Sequence, residues 1–179
     1  MIRVADGTLV GIKIVETQLH ADERGRFQEL WRNEYEALLG CRPFVQDNAS
    51  WSRRGVIRGL HYQEPNPQGK LVCVLHGSIF DVAVDIRPDS ETFGEWEGVE
   101  LHADEGRQVY IPEGFAHGFA VMSDAALVYY KCTDYYRPDG SRVIRWDDPG
   151  LGIEWPVDVP VVSIADREGV EREMIHNRN

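Results

Sequence analysis

Residues 55–77 read GVIRGLHYQEPNPQGKLVCVLHG, and residues 106–117 read GRQVYIPEGFAH. Each stretch has the outline of a β-hairpin motif that, in metal-holding barrels, supplies part of a ligand set. The first motif then contributes His-x-His and a Glu, and the second contributes one more His. Here His61 and His117 stand at ligand positions, but Gln63 replaces the second His and Lys70 replaces the Glu, seven residues before Gly77. An ammonium has no lone pair and repels a divalent cation, whereas metal sites need deprotonated N, O or S donors. No metal site is expected. A base and a cation in one pocket suit proton abstraction beside a carbonyl instead.

Outward from these motifs the chain is a series of short alternating segments broken by turns. Strands are expected over Gly11–Val15, Phe27–Trp31, Phe44–Trp51, Val56–Tyr62, Lys70–His76, Ile79–Ile86, Gln108–Ile111, Phe119–Met122 and Ala126–Thr133. In the fifth, Lys70, Val72 and Val74 share one face. In the sixth, Phe80, Val82, Val84 and Ile86 oppose Asp81, Ala83 and Asp85. One helix is expected after an Asn33 cap, with Glu36 at its third position, Leu38 and Leu39 inward and Gly40 as its stop. The fold class is all-β, a sandwich or barrel with short peripheral helices. At 179 residues the chain is expected to form one domain, 1–179, with its core over 10–166 and a charged tail over 167–179.

Composition is that of a globular protein, 42% hydrophobic and 27% charged. The net charge of −11 argues against nucleic acid or an anionic membrane as partner, since both reward basic surfaces. A small anionic ligand stays compatible, because nearby cations outweigh distant charge beyond a Debye length of about 8–10 Å. Arg53, Arg54 and Arg58 lie in a run from Ala49 to Gln63 that holds no Asp or Glu. No apolar run approaches a membrane span, and MIRVADGTLV lacks the basic start and apolar stretch of a signal peptide. Cys41, Cys73 and Cys132 are odd in number and never spaced Cys-x-x-Cys, so reduced thiols in a cytoplasmic protein are expected.

Several residues admit two readings. His61 and His117 are satisfied structural histidines or working ones. An inward Lys70 is costly unless paired or used; Asp81 and Asp85 are its ion-pair partners, or hold it charged for catalysis. Tyr129 and Tyr130 face opposite sides of their strand, and either packs or donates a proton. Tyr135 and Tyr136 pack or stack on a base.

Taken in order, DERGRFQE, QDNASWSRRGVIRGLHYQ, PQGKLVCVLHGSIFDVAVDIR, TFGEWEGVEL, IPEGFAHGF, YYKCTDYY and DDPGLGIEWP, from Ala21 to Asp166, closely resemble the signatures of the dTDP-4-dehydrorhamnose 3,5-epimerase family, enzymes of activated-rhamnose synthesis built on a cupin-type jelly roll. The resemblance implies a cofactor-free homodimer acting on a dTDP-linked 4-keto-6-deoxyhexose. It implies His61 as general base, Tyr130 as general acid, Asp166 as the carboxylate that orients the histidine, and Lys70 as the cation near the keto oxygen. Arg24, Glu29, Gln46, Asn48, Arg58 and His117 match ligand-binding positions, and Tyr136 an aromatic that stacks on the nucleobase. The chain departs from some members at Ala165, where they carry a Lys, and at Asp139, near a Glu contact. Three other readings stay open: a 3-only or 5-only epimerase on a related dTDP- or GDP-linked sugar, a metal-dependent cupin oxygenase, and a non-catalytic sugar-binding cupin.

Overall fold

The protein is described as a computed structural model, covering residues 2–171. The strands are β1 (Arg3–Asp6), β2 (Lys13–Glu16), β3 (Leu19–Asp22), β4 (Gly25–Gln28), β5 (Gln46–Arg53), β6 (Val56–Gln63), β7 (Lys70–His76), β8 (Ser78–Asp85), β9 (Trp96–His102), β10 (Arg107–Ile111), β11 (Phe115–Val121), β12 (Ala125–Cys132), β13 (Ser141–Val143) and β14 (Val161–Val162). The helices are α1 (Glu34–Leu39) and α2 (Ile164–Arg167).

One sheet runs β1-β2-β10-β7-β12-β5 and the other β13-β6-β11-β8-β9, with β14 added beside β6. Neighbours in sequence are rarely neighbours in a sheet, which is the crossing pattern of a jelly roll. Both sheets turn an apolar face to a shared interior, where Val72, Val74, Ala83, Val109, Phe115, Phe119 and Val128 pack. The outer face of the first sheet is covered by Tyr35 and Leu39 with Trp31 and Phe44. That of the second is covered by Ile144 and Leu151 with Trp155.

The alternation in β7 and β8 holds as read: Val72 and Val74 point into the interior, and Phe80, Val82, Val84 and Ile86 pack on the opposite side of β8. Three local expectations are corrected. Leu39 is buried but Leu38 is half exposed, and Tyr35 takes the second inward position. Successive helical residues point about 100° apart, so an i, i+4 pair shares the face and an adjacent pair does not. Asn33 precedes α1 in helical geometry without a side-chain cap, and Glu36 accepts from the Phe44 N–H instead. The strand expected over Phe27–Trp31 stops at Gln28, because Glu29 turns to Arg32 and Trp31 joins the outer cluster. The strand β9, which sequence alternation did not flag, completes the second sheet's edge. Of the charged tail, Val170 bridges Ile144, and residues 172–179 lie outside the described residues.

Candidate active site

Both sheets contribute to a cavity of about 450 Å³, lined among others by Gln46, Asn48, Arg58, His61, Lys70, Tyr130, Cys132, Tyr136 and Asp166. The first sheet delivers its share as two cross-strand rows. Lys70, Cys132 and Gln46 stand side by side on β7, β12 and β5, and Val72, Tyr130 and Asn48 form the next row. Register therefore fixes Lys70 and Tyr130 one row apart on the wall.

The opposite wall is β6, and its geometry depends on an irregularity. Arg58 and His61 are three residues apart, which in a regular strand puts them on opposite faces. Against β11, His61 pairs with His117 and Arg58 with Phe119, so β6 carries one residue more than its partner. This bulge returns both side chains to the cavity. It falls at Gly59, which has φ +115° and where a Cβ would come within 2.6 Å of Gly118 Cα and His117 O. Only glycine fits both the angle and the approach.

Asp166 reaches the site through β14, whose parallel pairing with Val56 and Ile57 sets Ser163 at the start of α2, where its hydroxyl accepts the Asp166 N–H. Asp166 is 4% exposed, and its Oδ1 lies 2.5 Å from His61 Nε2. Burial alone would raise its pKa, but hydrogen bonds from His61, Ser163 and the Gly59 backbone hold it below the ordinary carboxylate value. A carboxylate at Nε2 selects the tautomer with the proton there and leaves Nδ1 as the lone-pair nitrogen.

Across the cavity, burial raises the Tyr130 pKa, Cys132 adds to the effect and Arg58 opposes it. Tyr130 is thus a phenol at neutral pH. Burial pulls the Lys70 pKa down, while Cys132 and Asp81 push it back up. Arg58 donates from Nε to the buried Ser52 hydroxyl at 2.9 Å, which holds the guanidinium while its terminal nitrogens stay available. A polar chain runs from the Tyr136 N–H to Gln46, on to Asn48 and ends at Cys132 Sγ.

Four sequence candidates are not among the cavity-lining residues. His117 is buried on the interior face of β11, its Nε2 2.8 Å from Asp81. Burial lowers its pKa against the pull of Asp81, and Lys70 lowers it further, so it is neutral. Arg24 is ion-paired with Asp22 at the tip of the β3–β4 hairpin, and Glu29 with Arg32 just beyond it. Asp139 sits in an exposed 3₁₀ turn, Pro138–Gly140. Asp81 and Asp85 do not pair with Lys70: Asp81 holds His117, and Asp85 holds Arg87, Ser90 and Thr92. Sequence reasoning missed Ser52, which no local signal marks, and the work of Gln63. The Gln63 amide donates to the carbonyls of Asn66 and Tyr135 and accepts from the Arg137 N–H, pinning the loop that carries Tyr136. Among the described residues no group of three or more His, Cys, Asp or Glu side chains could hold a metal ion, and no helix is long and apolar enough to cross a membrane.

A cupin-type jelly roll whose cavity sets a carboxylate-tethered histidine against a phenol and an amine defines a protein built for acid–base chemistry on a small molecule. A model of the dTDP-4-dehydrorhamnose 3,5-epimerase family matches residues 6–173, and the chain belongs to that family. It is 51% identical over 164 residues to the dTDP-4-dehydrorhamnose 3,5-epimerase of Methanothermobacter thermautotrophicus, covering 89% of each chain. It superposes with a TM-score of 0.94 on the dTDP-6-deoxy-D-glucose-3,5-epimerase of Legionella pneumophila in complex with dTDP-4-keto-L-rhamnose, at 47% identity over 98% of this chain and 95% of that one. It spans about half the length of the Neisseria gonorrhoeae dTDP-4-dehydrorhamnose 3,5-epimerase, matching 49% of residues over 93% of this chain and 51% of that protein.

Proposed function

We infer that the protein inverts C3 and C5 of dTDP-4-dehydro-6-deoxy-D-glucose to give dTDP-4-dehydro-L-rhamnose. The observation that carries this reading is the opposition of His61, on one sheet, to Tyr130 and Lys70, on the other, in a cavity with room for a hexose. The C4 ketone acidifies the C–H bonds at C3 and C5 because the carbanion delocalises onto oxygen as an enolate. His61 takes the proton, and Asp166 steadies the imidazolium that forms. Lys70, as an ammonium, faces the enolate oxygen. Tyr130 returns a proton to the other face of the same carbon, inverting it. His61 then releases its proton to solvent and Tyr130 regains one, so the step leaves no net change of charge or oxidation state.

Arg58 binds the diphosphate, where a planar guanidinium fork suits phosphate oxygens. Gln46 and Asn48 hold the sugar nucleotide, Tyr136 stacks on the base, and His117 shapes the wall behind the ring. The working unit is a cytoplasmic homodimer of single-domain chains. Supporting the dimer, the β3–β4 hairpin pairs with neither large sheet and exposes Phe27 at 70%, while β5 ends its sheet among the described residues. Arg24 and Glu29, on and just past this hairpin, serve the cavity of a second copy. Asp139 lies at the nucleotide end.

Incubating the protein with dTDP-4-keto-6-deoxyglucose in deuterated water tests the reading. Deuterium at both C3 and C5 with inversion is expected. Label at one carbon alone reduces the protein to a mono-epimerase, and no label at either removes the function. Light scattering on the same sample checks for a dimer.

A further inference from the structure

Asp81 has no part in the chemistry above, yet it is 2% exposed and sits on the interior face of β8. Ala83, on that face, packs in the same cluster as Val72 and Val74, which share the face of Lys70 on β7. Asp81 and Lys70 therefore look into one interior from opposite sheets. The partner of Asp81 is His117, which stands directly opposite His61 in the β6–β11 ladder. The site thus contains two His–carboxylate pairs side by side, and only the His61 pair reaches the cavity.

The charges decide what the second pair does. A neutral His117 donates a hydrogen bond to Asp81 and adds no imidazolium charge to the pair. Lys70 has no carboxylate at ion-pair distance among the described residues, and burial favours its neutral amine. A neutral amine brings hydrogen-bond donors but no positive charge to a developing oxyanion. Of the other groups around Lys70, Cys132 from β12 pushes it in the same direction as Asp81 but burial holds it a thiol, Tyr130 from β12 is a phenol, His117 from β11 is neutral, and Asp166 is committed to His61.

We propose that Asp81 is a positioning residue that keeps Lys70 an ammonium, acting across the barrel interior rather than through a direct ion pair. The use of that charge in catalysis rests on the epimerase reading; the charge itself does not.

The chain has three lysines, Lys13, Lys70 and Lys131, so ¹³Cε NMR follows each ammonium separately. In Asp81→Asn, which keeps an acceptor oxygen for His117, Lys70 is expected to titrate about one pH unit or more lower than in wild type. Lys13 and Lys131, paired with Asp6 and Asp47, should not move and report an intact fold. The alkaline limb of kcat should fall by the same interval, with dTDP affinity unchanged. A Lys70 titration identical to wild type overturns the proposal. His117→Asn, which disturbs the same packing but keeps the carboxylate, should leave Lys70 at its wild-type pH or above; a drop equal to that of Asp81→Asn assigns the effect to packing and also overturns it. A shifted Lys70 in a protein that exchanges no deuterium into the keto sugar upholds the role of Asp81 and removes the epimerase reading. Full epimerisation with an unmoved Lys70 does the reverse.

Discussion

His61 Nε2 and Asp166 Oδ1 lie 2.5 Å apart although 105 positions separate them in the chain. The contact exists because β14 runs parallel to β6 and delivers α2 beside the bulge at Gly59. An imidazole held this way cannot rotate away, and its proton sits on the nitrogen facing the carboxylate. Asp166→Asn is expected to lower kcat by about 10²–10⁴-fold, the range of general acid–base catalysis. His61→Ala should abolish deuterium exchange at both carbons. In each case dTDP affinity, measured by calorimetry, should stay within about twofold; parallel losses of affinity and turnover would show that the pair builds the pocket and does not do the chemistry.

Tyr130 and His61 are expected to separate kinetically. Because Tyr130 stays protonated through neutral pH, its removal spares the abstraction step. Tyr130→Phe should slow completed epimerisation by about 10²-fold or more while wash-in of solvent deuterium at C3 or C5 continues. Loss of exchange to the same extent as product would place Tyr130 outside the reprotonation step.

Ser52 is 4% exposed and its only assigned task is to accept from Arg58 Nε. Arg58→Ala should weaken dTDP binding and flatten its salt dependence, since a phosphate contact is lost. Ser52→Ala should raise KM about three- to tenfold, corresponding to roughly 1 kcal/mol for one hydrogen bond, with kcat little changed. A Ser52 effect on kcat alone would contradict an action through Arg58.

Asp85 is a stability device at the cavity rim. Its carboxylate is fully buried; burial alone would raise its pKa, but bonds from Arg87, Ser90 and Thr92 bring it down to about 2. Arg87 in turn lies over the Phe115 ring at 4.6 Å, and Phe115 lines the cavity. A folded-state pKa below the ordinary value of 3.8 means stabilisation that is complete above about pH 4 and is lost as pH falls toward 2. Asp85→Asn should therefore cost about 1–3 kcal/mol at pH 7, seen as a Tm lower by several degrees, and the gap should close in acid. A gap constant from pH 7 to pH 2 would rule out this ionic contribution.

Much of this architecture was legible in the chain. Period-two alternation identified the inward faces of β7 and β8, because a strand buried on a shared interior must present its apolar side chains there. The spacing of His61, Gln63 and Lys70 pointed to one pocket, and all three line it. The partners of the buried acids were not legible. Asp81 and Asp85 read as candidates for Lys70, yet the ladder sets Asp81 beside His117, and the turn after β8 folds Arg87, Ser90 and Thr92 back onto Asp85. Alternation tells which face a residue takes, not which side chain lies one strand away. The α1 register failed for a related reason: two adjacent leucines carry no phase, and the packing of Tyr35 against the sheet supplied it.

What the sequence by itself determined is the all-β class and the two motif-bearing hairpins that carry His61, Lys70 and His117. Those follow from local periodicity and residue chemistry, which need no knowledge of the rest of the chain. The choice of His61 and Tyr130 among several histidines and tyrosines came from the resemblance to the epimerase family. Only the tertiary structure decided that Arg58 and His61 share a face and that Asp81 holds His117, and it supplied the parallel pairing of β14 with β6 through which Asp166 meets His61. Each of these depends on one extra residue in a strand or on pairing between distant segments, and a single-residue change of register reverses every side chain that follows it.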